Sequence, residues 1–90
     1  MKRETVKKIA DMLMPTARKM KEMKPFTRGV VGKYPNGDVA VTLSAKELNE
    51  TRKILIELVD AYDKRDYAAM EAAIHKHMLK LYNYEKPEST

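Results

Sequence analysis

Side chains with catalytic or metal-binding chemistry are few in this 90-residue chain, and their spacing does not combine them. His75 and His77 stand two positions apart on a predicted helix, about 200° around its axis, so one metal ion cannot take both. The serines are Ser44, which we expect to cap a helix, and Ser89, and neither has a base at readable spacing. We therefore expect no enzyme activity, no cofactor and no metal site.

Three aspartates recur at three-residue steps toward the end of the second predicted helix. Asp60, Asp63 and Asp66 could offer carboxylates to a cation, but the spacing lacks the glycine and the alternating ligands of a calcium loop. Lys64 and Arg65 also stand among the acids. We interpret the group as a solvated turn in which Asp66 caps the next helix.

Basic residues give the strongest functional signal. The chain has 18 Lys and Arg against 13 Asp and Glu, a net charge of +5, and residues 1–33 carry ten of these cations against three acids. The first helix should place several of them opposite its apolar stripe, where they could bind phosphates or simply be solvated. The candidate partner-binding or polyanion-binding residues are Arg3, Lys7, Arg18, Lys21, Lys24, Arg28 and Lys33.

The element that positions these cations is an amphipathic helical segment over residues 1–25. Its apolar residues Val6, Ile9, Leu13 and Met20 follow alternating three- and four-residue steps, as in a packed helix. Ala10, Met12 and Ala17 widen this stripe. Pro15 removes one backbone donor in the middle, so it either kinks one helix or separates two, and the unbroken register favours a kink.

Residues 28–43 predict a two-stranded hairpin around Pro35-Asn36-Gly37, because proline presets the first turn dihedral and glycine accepts a left-handed one. A lone hairpin is barely stable in water. We therefore expect its apolar face to lie on the helices, or its edge to pair with another chain.

Residues 44–84 predict an antiparallel pair of longer helices. Ser44 and Glu47 form a capping box at the start of the first, which runs to about Asp63. Asp66 opens the second, which runs to about Tyr84, and the tail 85–90 is expected to be flexible.

The fold expected is mainly α with a β-hairpin (α+β), in a single small domain over residues 1–84. A chain of this size buries a limited core, so we expect a homodimer or higher oligomer. The predicted self-association seam is formed by the apolar residues at helical spacing: Val6, Ile9, Leu13, Met20, Leu55, Leu58, Ile74 and Leu81.

The composition also indicates where in the cell the protein is located. Cysteine is absent, which excludes a disulfide scaffold, and no apolar run is long enough to span a bilayer. The charged start has no apolar segment behind it, so it does not read as a signal peptide. We expect a cytoplasmic protein.

These features together favour a small regulatory or inhibitory protein that acts by binding, of a kind typical of phage and mobile elements. A protein partner would dock on the methionine-rich stripe or the hairpin edge, with charge steering the encounter. One alternative is nucleic-acid binding, in which the basic N-terminal third contacts the phosphates of duplex DNA. Another is an oligomer that encloses a small anionic ligand such as a nucleotide.

Overall fold

Three helices and one hairpin make up the fold, which confirms the expected α+β class. The computed structural model describes residues 1–85, with side-chain surroundings for residues 1–80. The predicted tail beyond residue 85 lies outside the described residues. In chain order the elements are α1 (Arg3–Glu22), β1 (Val30–Lys33), β2 (Val39–Leu43), α2 (Ala45–Asp63) and α3 (Tyr67–Glu85).

Helix α1 runs without interruption through Pro15, so the proline does not separate two helices. Pro15 is exposed, where its ring meets solvent rather than a neighbouring helix. The helix ends at Glu22, three residues before Pro25, and the Met23 N–H donates to the Lys19 carbonyl oxygen at its end.

The buried face of α1 differs from the predicted stripe. Its buried residues are Val6, Ala10, Met14 and Ala17. At 3.6 residues per turn, their mean direction is turned by about 65° from that of Val6, Ile9, Leu13 and Met20. Ala10 and Ala17 are 0% exposed. The sequence predicts both alanines as a widening of the apolar stripe, whereas the structure places them at the centre of the buried face, where small side chains let α1 lie close against its neighbours.

The core lies where the three helices meet. Around the buried face of α1 it collects the interior side chains of the other two helices, namely Leu55, Leu58, Val59, Ala61, Met70, Ala73 and Ile74. Each helix contacts both of the others. One chain therefore builds a complete three-helix core.

Helices α2 and α3 begin where the sequence predicts. The Glu47 N–H donates to Ser44 Oγ (3.1 Å) and the Ser44 N–H donates to Glu47 Oε1 (3.3 Å), which is the capping box. The Ala69 N–H donates to Asp66 Oδ1 (3.1 Å), so Asp66 caps α3. These two caps fix the helical pair and the short turn between them.

The hairpin pairs β1 with β2 antiparallel, from Val30 opposite Leu43 to Lys33 opposite Val39, with a bulge beside Gly32. Gly37 has φ +93°, the left-handed value expected for the turn. The sequence left two arrangements open for the hairpin: its apolar face on the helices, or its edge paired with another chain. The first is wrong, because the hairpin does not lie with an apolar face on the helices. None of residues 30–43 belongs to the buried core.

No helix within the described residues is long and apolar enough to cross a membrane.

Candidate functional site

A hollow of about 250 Å³ opens where the N-terminal half of α1 crosses the turn between α2 and α3. We call it the tyrosine hollow, because two tyrosine rings line it. Its walls are Lys7 from α1, Tyr62 and Asp63 from α2, Arg65 from the turn, and Tyr67 and Met70 from α3. The crossing of three helices thus brings cations and aromatic rings together.

Two arginines of α1 lie against the rings of this hollow. The guanidinium carbon of Arg3 is 4.5 Å from the centroid of the Tyr67 ring, and that of Arg18 is 5.9 Å from the centroid of Tyr62. Both distances fall within the range of a cation–π contact. Three of the predicted basic residues therefore contact this region: Lys7 lines the hollow, and Arg3 and Arg18 each contact one of its tyrosine rings.

The acids around the hollow are already bonded. Arg18 Nη2 donates to Asp63 Oδ1 (2.7 Å), which raises the pKa of Arg18 and lowers that of Asp63. The Tyr62 hydroxyl donates to Asp11 Oδ1 (2.6 Å), and this bond to the neutral phenol raises the pKa of Tyr62. Among residues 1–80, the side chains of Lys7 and Arg65 make no hydrogen bond or ion pair, so their charges stay available.

Arg65 has an unusual backbone. Its φ is +56°, the only left-handed non-glycine value in the described chain. The Asp66 N–H donates to the Ala61 carbonyl oxygen (2.9 Å) and the Arg65 N–H to that of Tyr62 (3.1 Å), the arrangement that ends a helix with a left-handed residue. Glycine usually fills this position, and a side chain there costs roughly 1–2 kcal/mol.

The other predicted cations lie away from the hollow. Lys21 Nζ donates to Asp60 Oδ1 (2.9 Å), so this lysine and Arg18 reach across to α2 instead of lying opposite the helix contact. Lys24 follows the end of α1, about 30 Å along the helix axis from Arg3. Arg28 and Lys33 belong to the approach to β1 and to β1 itself.

Two side chains of α2 fasten the segment that carries Lys24. Arg52 donates through Nε to the Met20 carbonyl oxygen (3.1 Å) and through Nη2 to that of Met23 (2.7 Å). Asn49 accepts from the Phe26 N–H (2.7 Å) and donates to the Phe26 carbonyl oxygen (2.9 Å). The chain is thereby held to α2 just before it enters the hairpin.

The hairpin is a second candidate surface. Its large apolar side chains are 40–59% exposed and occur on both strands and in the turn: Val30, Val31, Tyr34, Val39 and Val41. Within residues 1–85, both outer strand edges lack a paired strand, because the sheet there has two strands. Such an edge can pair with an added strand.

The charges near this surface are mainly positive. The side chains of Lys24, Arg28 and Lys33 make no hydrogen bond or ion pair with any residue up to 80. The one acid of the hairpin, Asp38, accepts from Asn36 Nδ2 at 3.1 Å. The hairpin and its approach therefore present unneutralised cations beside exposed valines.

The predicted self-association seam lies largely inside the single chain. Val6, Leu55, Leu58 and Ile74 are 0–3% exposed in the three-helix core. The half-buried seam residues packed against this core are Ile9, Leu13 and Met20. Leu81 lies outside the described side chains. Self-association stays a prediction.

The methionines do not form a single stripe. Met14 and Met70 are buried in the core, whereas Met12, Met23 and Met78 are exposed on different elements. Of the two protein-docking surfaces that the sequence suggests, the hairpin edge is thus the continuous one.

His77 is half-buried on α3, and its Nδ1 has no hydrogen-bond partner among the described residues. Burial lowers the pKa of this histidine. No group of three or more His, Cys, Asp or Glu side chains that could hold a metal ion occurs in the part of the chain that the structure describes.

Sequence reasoning missed Tyr62, Tyr67 and Arg65 as members of a site. No motif marks either tyrosine in the sequence, and Arg65 falls in the stretch predicted to be a solvated turn. The signal that could have identified Arg65 is its position just after α2, where a helix usually ends in glycine.

Comparison with protein-family models, with curated proteins and with solved structures gives no match to this chain. The functional argument therefore rests on the geometry of the two surfaces.

Proposed function

We propose that this chain is a non-catalytic regulatory or inhibitory protein that acts in the cytoplasm by docking a protein partner on its hairpin. The occupant is an extended, acidic segment of that partner, added as a third strand. One observation carries the proposal: a hairpin that would be barely stable alone exposes its valines and both strand edges instead of packing on the helices.

Addition of a third strand would stabilise this hairpin. Three paired strands with an apolar face are far more stable than two. A partner strand would bond the open backbone groups of one edge and cover valines such as Val31 and Val39, which are 54% and 58% exposed. The free energy of docking would come from surface that the chain leaves uncovered.

Charge identifies the chemistry of the partner. Lys24, Arg28 and Lys33 outnumber Asp38, the one acid of residues 24–43, and their side chains make no ion pair with any residue up to 80. An acidic segment complements this surface and is steered to it. A second copy would bring Arg28 and Lys33 near their own equivalents, so charge disfavours pairing of two hairpins.

Peptide selection tests the proposal. The purified protein is offered a library of random peptides, and selected peptides are measured by fluorescence anisotropy. We expect alternating apolar residues with Asp and Glu between them, and we expect Arg28→Glu with Lys33→Glu to weaken binding. Lys19→Glu is the matched control, since Lys19 is exposed on α1 and makes no ion pair with residues 1–80.

Two results would contradict the proposal. Selected peptides without acidic residues, or equal loss from the control and the hairpin variants, would remove the acidic segment as occupant. Dimerisation in sedimentation equilibrium that Val31→Thr and Val39→Thr abolish would identify a second copy as the occupant instead. Threonine keeps the strand preference and branching of valine, so these variants remove apolar surface without removing the strands.

A further inference from the structure

The tyrosine hollow is separate from the hairpin and has the composition of an anion site. Four cationic side chains surround it: Lys7 and Arg65 in its lining, and Arg3 and Arg18 on its tyrosine rings. Among the described lining residues Asp63 is the one acid, and Arg18 already binds that carboxylate. The remaining charge in the hollow is therefore positive.

The shape of the hollow suits a small ligand. Its volume of about 250 Å³ lies below the range of about 300–1,000 Å³ for drug-sized ligands. A phosphate group could meet Lys7 from α1 and Arg65 from the turn, and a planar guanidinium can donate two parallel hydrogen bonds to it. The tyrosine rings offer an apolar surface to the rest of such a ligand.

The backbone at Arg65 points to the same function. Arg65 is the only non-glycine residue with a left-handed φ in the described chain, and its side chain lines the hollow without an acidic partner among residues 1–80. A strained residue whose side chain makes no stabilising contact is a candidate for a role in binding. Glycine would satisfy the turn but could not supply the cation.

We propose that the tyrosine hollow binds the phosphate group of a small phosphate monoester, held between Lys7 and Arg65 with Arg3 as a third cation. A monoester fits better than a nucleic-acid backbone, because the hollow is small and concave. The basic residues also do not form one continuous face, since Lys21 binds Asp60 and Lys24 lies at the far end of α1.

Titration with three probes tests this site: inorganic phosphate, adenosine monophosphate and a short DNA duplex. Binding is followed by two-dimensional NMR of the backbone amides. We expect the monophosphate to shift the amides of residues 62–67, and we expect Arg65→Gly and Lys7→Gln each to weaken its binding about tenfold or more, the loss typical of a charged hydrogen bond. Arg65→Gly should fold normally, because glycine accepts the left-handed turn.

The matched controls are Lys64→Gln and Lys8→Gln, which remove neighbouring exposed cations that do not line the hollow. Both should bind the monophosphate as the unaltered protein does. An equal loss in the controls would show a diffuse electrostatic effect and overturn the site. The site would also be overturned if neither inorganic phosphate nor adenosine monophosphate shifted the amides. Tighter binding of the duplex, weakened by Arg65→Gly and Lys7→Gln, would overturn the choice of a small ester.

Discussion

Replacing Arg65 with glycine is expected to stabilise the protein while it removes a binding group. Arg65 holds φ +56° at the end of α2 and is exposed, and its side chain makes no hydrogen bond or ion pair with residues 1–80. Relief of the left-handed strain gives about 1–2 kcal/mol, and the extra freedom of glycine in the unfolded chain takes back about 0.5–1 kcal/mol. A net gain of about 1 kcal/mol in the free energy of unfolding follows.

The assay is urea denaturation followed by circular dichroism, with thermal unfolding as a second readout. For a domain of this size, a gain of about 1 kcal/mol raises Tm by roughly 4–8 °C. Arg65→Ala is the informative control, because it removes the same side chain but keeps the strained backbone. It should unfold with the midpoint of the unaltered protein.

Two results would refute this reasoning. If Arg65→Gly is less stable than the unaltered protein, the side chain makes a stabilising contact that outweighs the strain. If Arg65→Ala gains as much as Arg65→Gly, the gain comes from removing a charge near Lys7 rather than from the backbone.

Three further predictions concern the helices. Ala17→Leu should lower the free energy of unfolding by about 1–3 kcal/mol in urea denaturation, because Ala17 is fully buried where α1 meets its neighbours and the core has no room for a larger side chain; an unchanged midpoint would mean that the helices can move apart. Ser44→Ala should cost about 1 kcal/mol in the same assay through loss of the cap of α2, whereas an equal loss in Thr42→Ala, outside the cap, would argue against that cause. Burial lowers the pKa of His77, so the unfolded state binds more protons as the pH falls through about 6.5, and stability should be full above that pH and decline below it. His77→Gln should flatten this decline and His75→Gln should not; a slope that persists in His77→Gln would assign it to other groups.

Local signals in the sequence predicted most of the fold. Ser44, Asp66 and Gly37 each mark an element boundary through a specific hydrogen bond or dihedral, and the structure has all three. These signals succeed because they depend on residues a few positions apart.

Contacts between elements were harder to predict. Helical periodicity gave α1 an apolar stripe but could not show that Ala10 and Ala17 lie at its centre, since small residues matter only where another helix approaches. The ion pair of Arg18 with Asp63 joins residues 45 positions apart, and no local pattern indicates it. Ion pairs between such distant residues determine which cationic side chains remain available to bind a ligand.

The candidate sites also divide into features that local signals predict and features that depend on contacts between elements. The sequence pointed to Arg3 and Lys7 through charge, and to the hairpin edge through its two strands. It could not combine the first two residues with Arg65 and the tyrosines of α2 and α3, because the hollow exists only once three helices are packed. Nor could it choose between a hairpin covered by helices and one left open.

Amide hydrogen exchange of the hairpin, with and without a selected acidic peptide, tests the proposed docking most directly. A two-stranded hairpin outside the core should exchange much faster than α1–α3 in the free protein. The proposal predicts that bound peptide slows exchange along one outer edge of residues 30–43, and that Val31→Thr with Val39→Thr reduces this protection. Protection confined to the helices, with the hairpin exchanging as fast as before, would contradict the account.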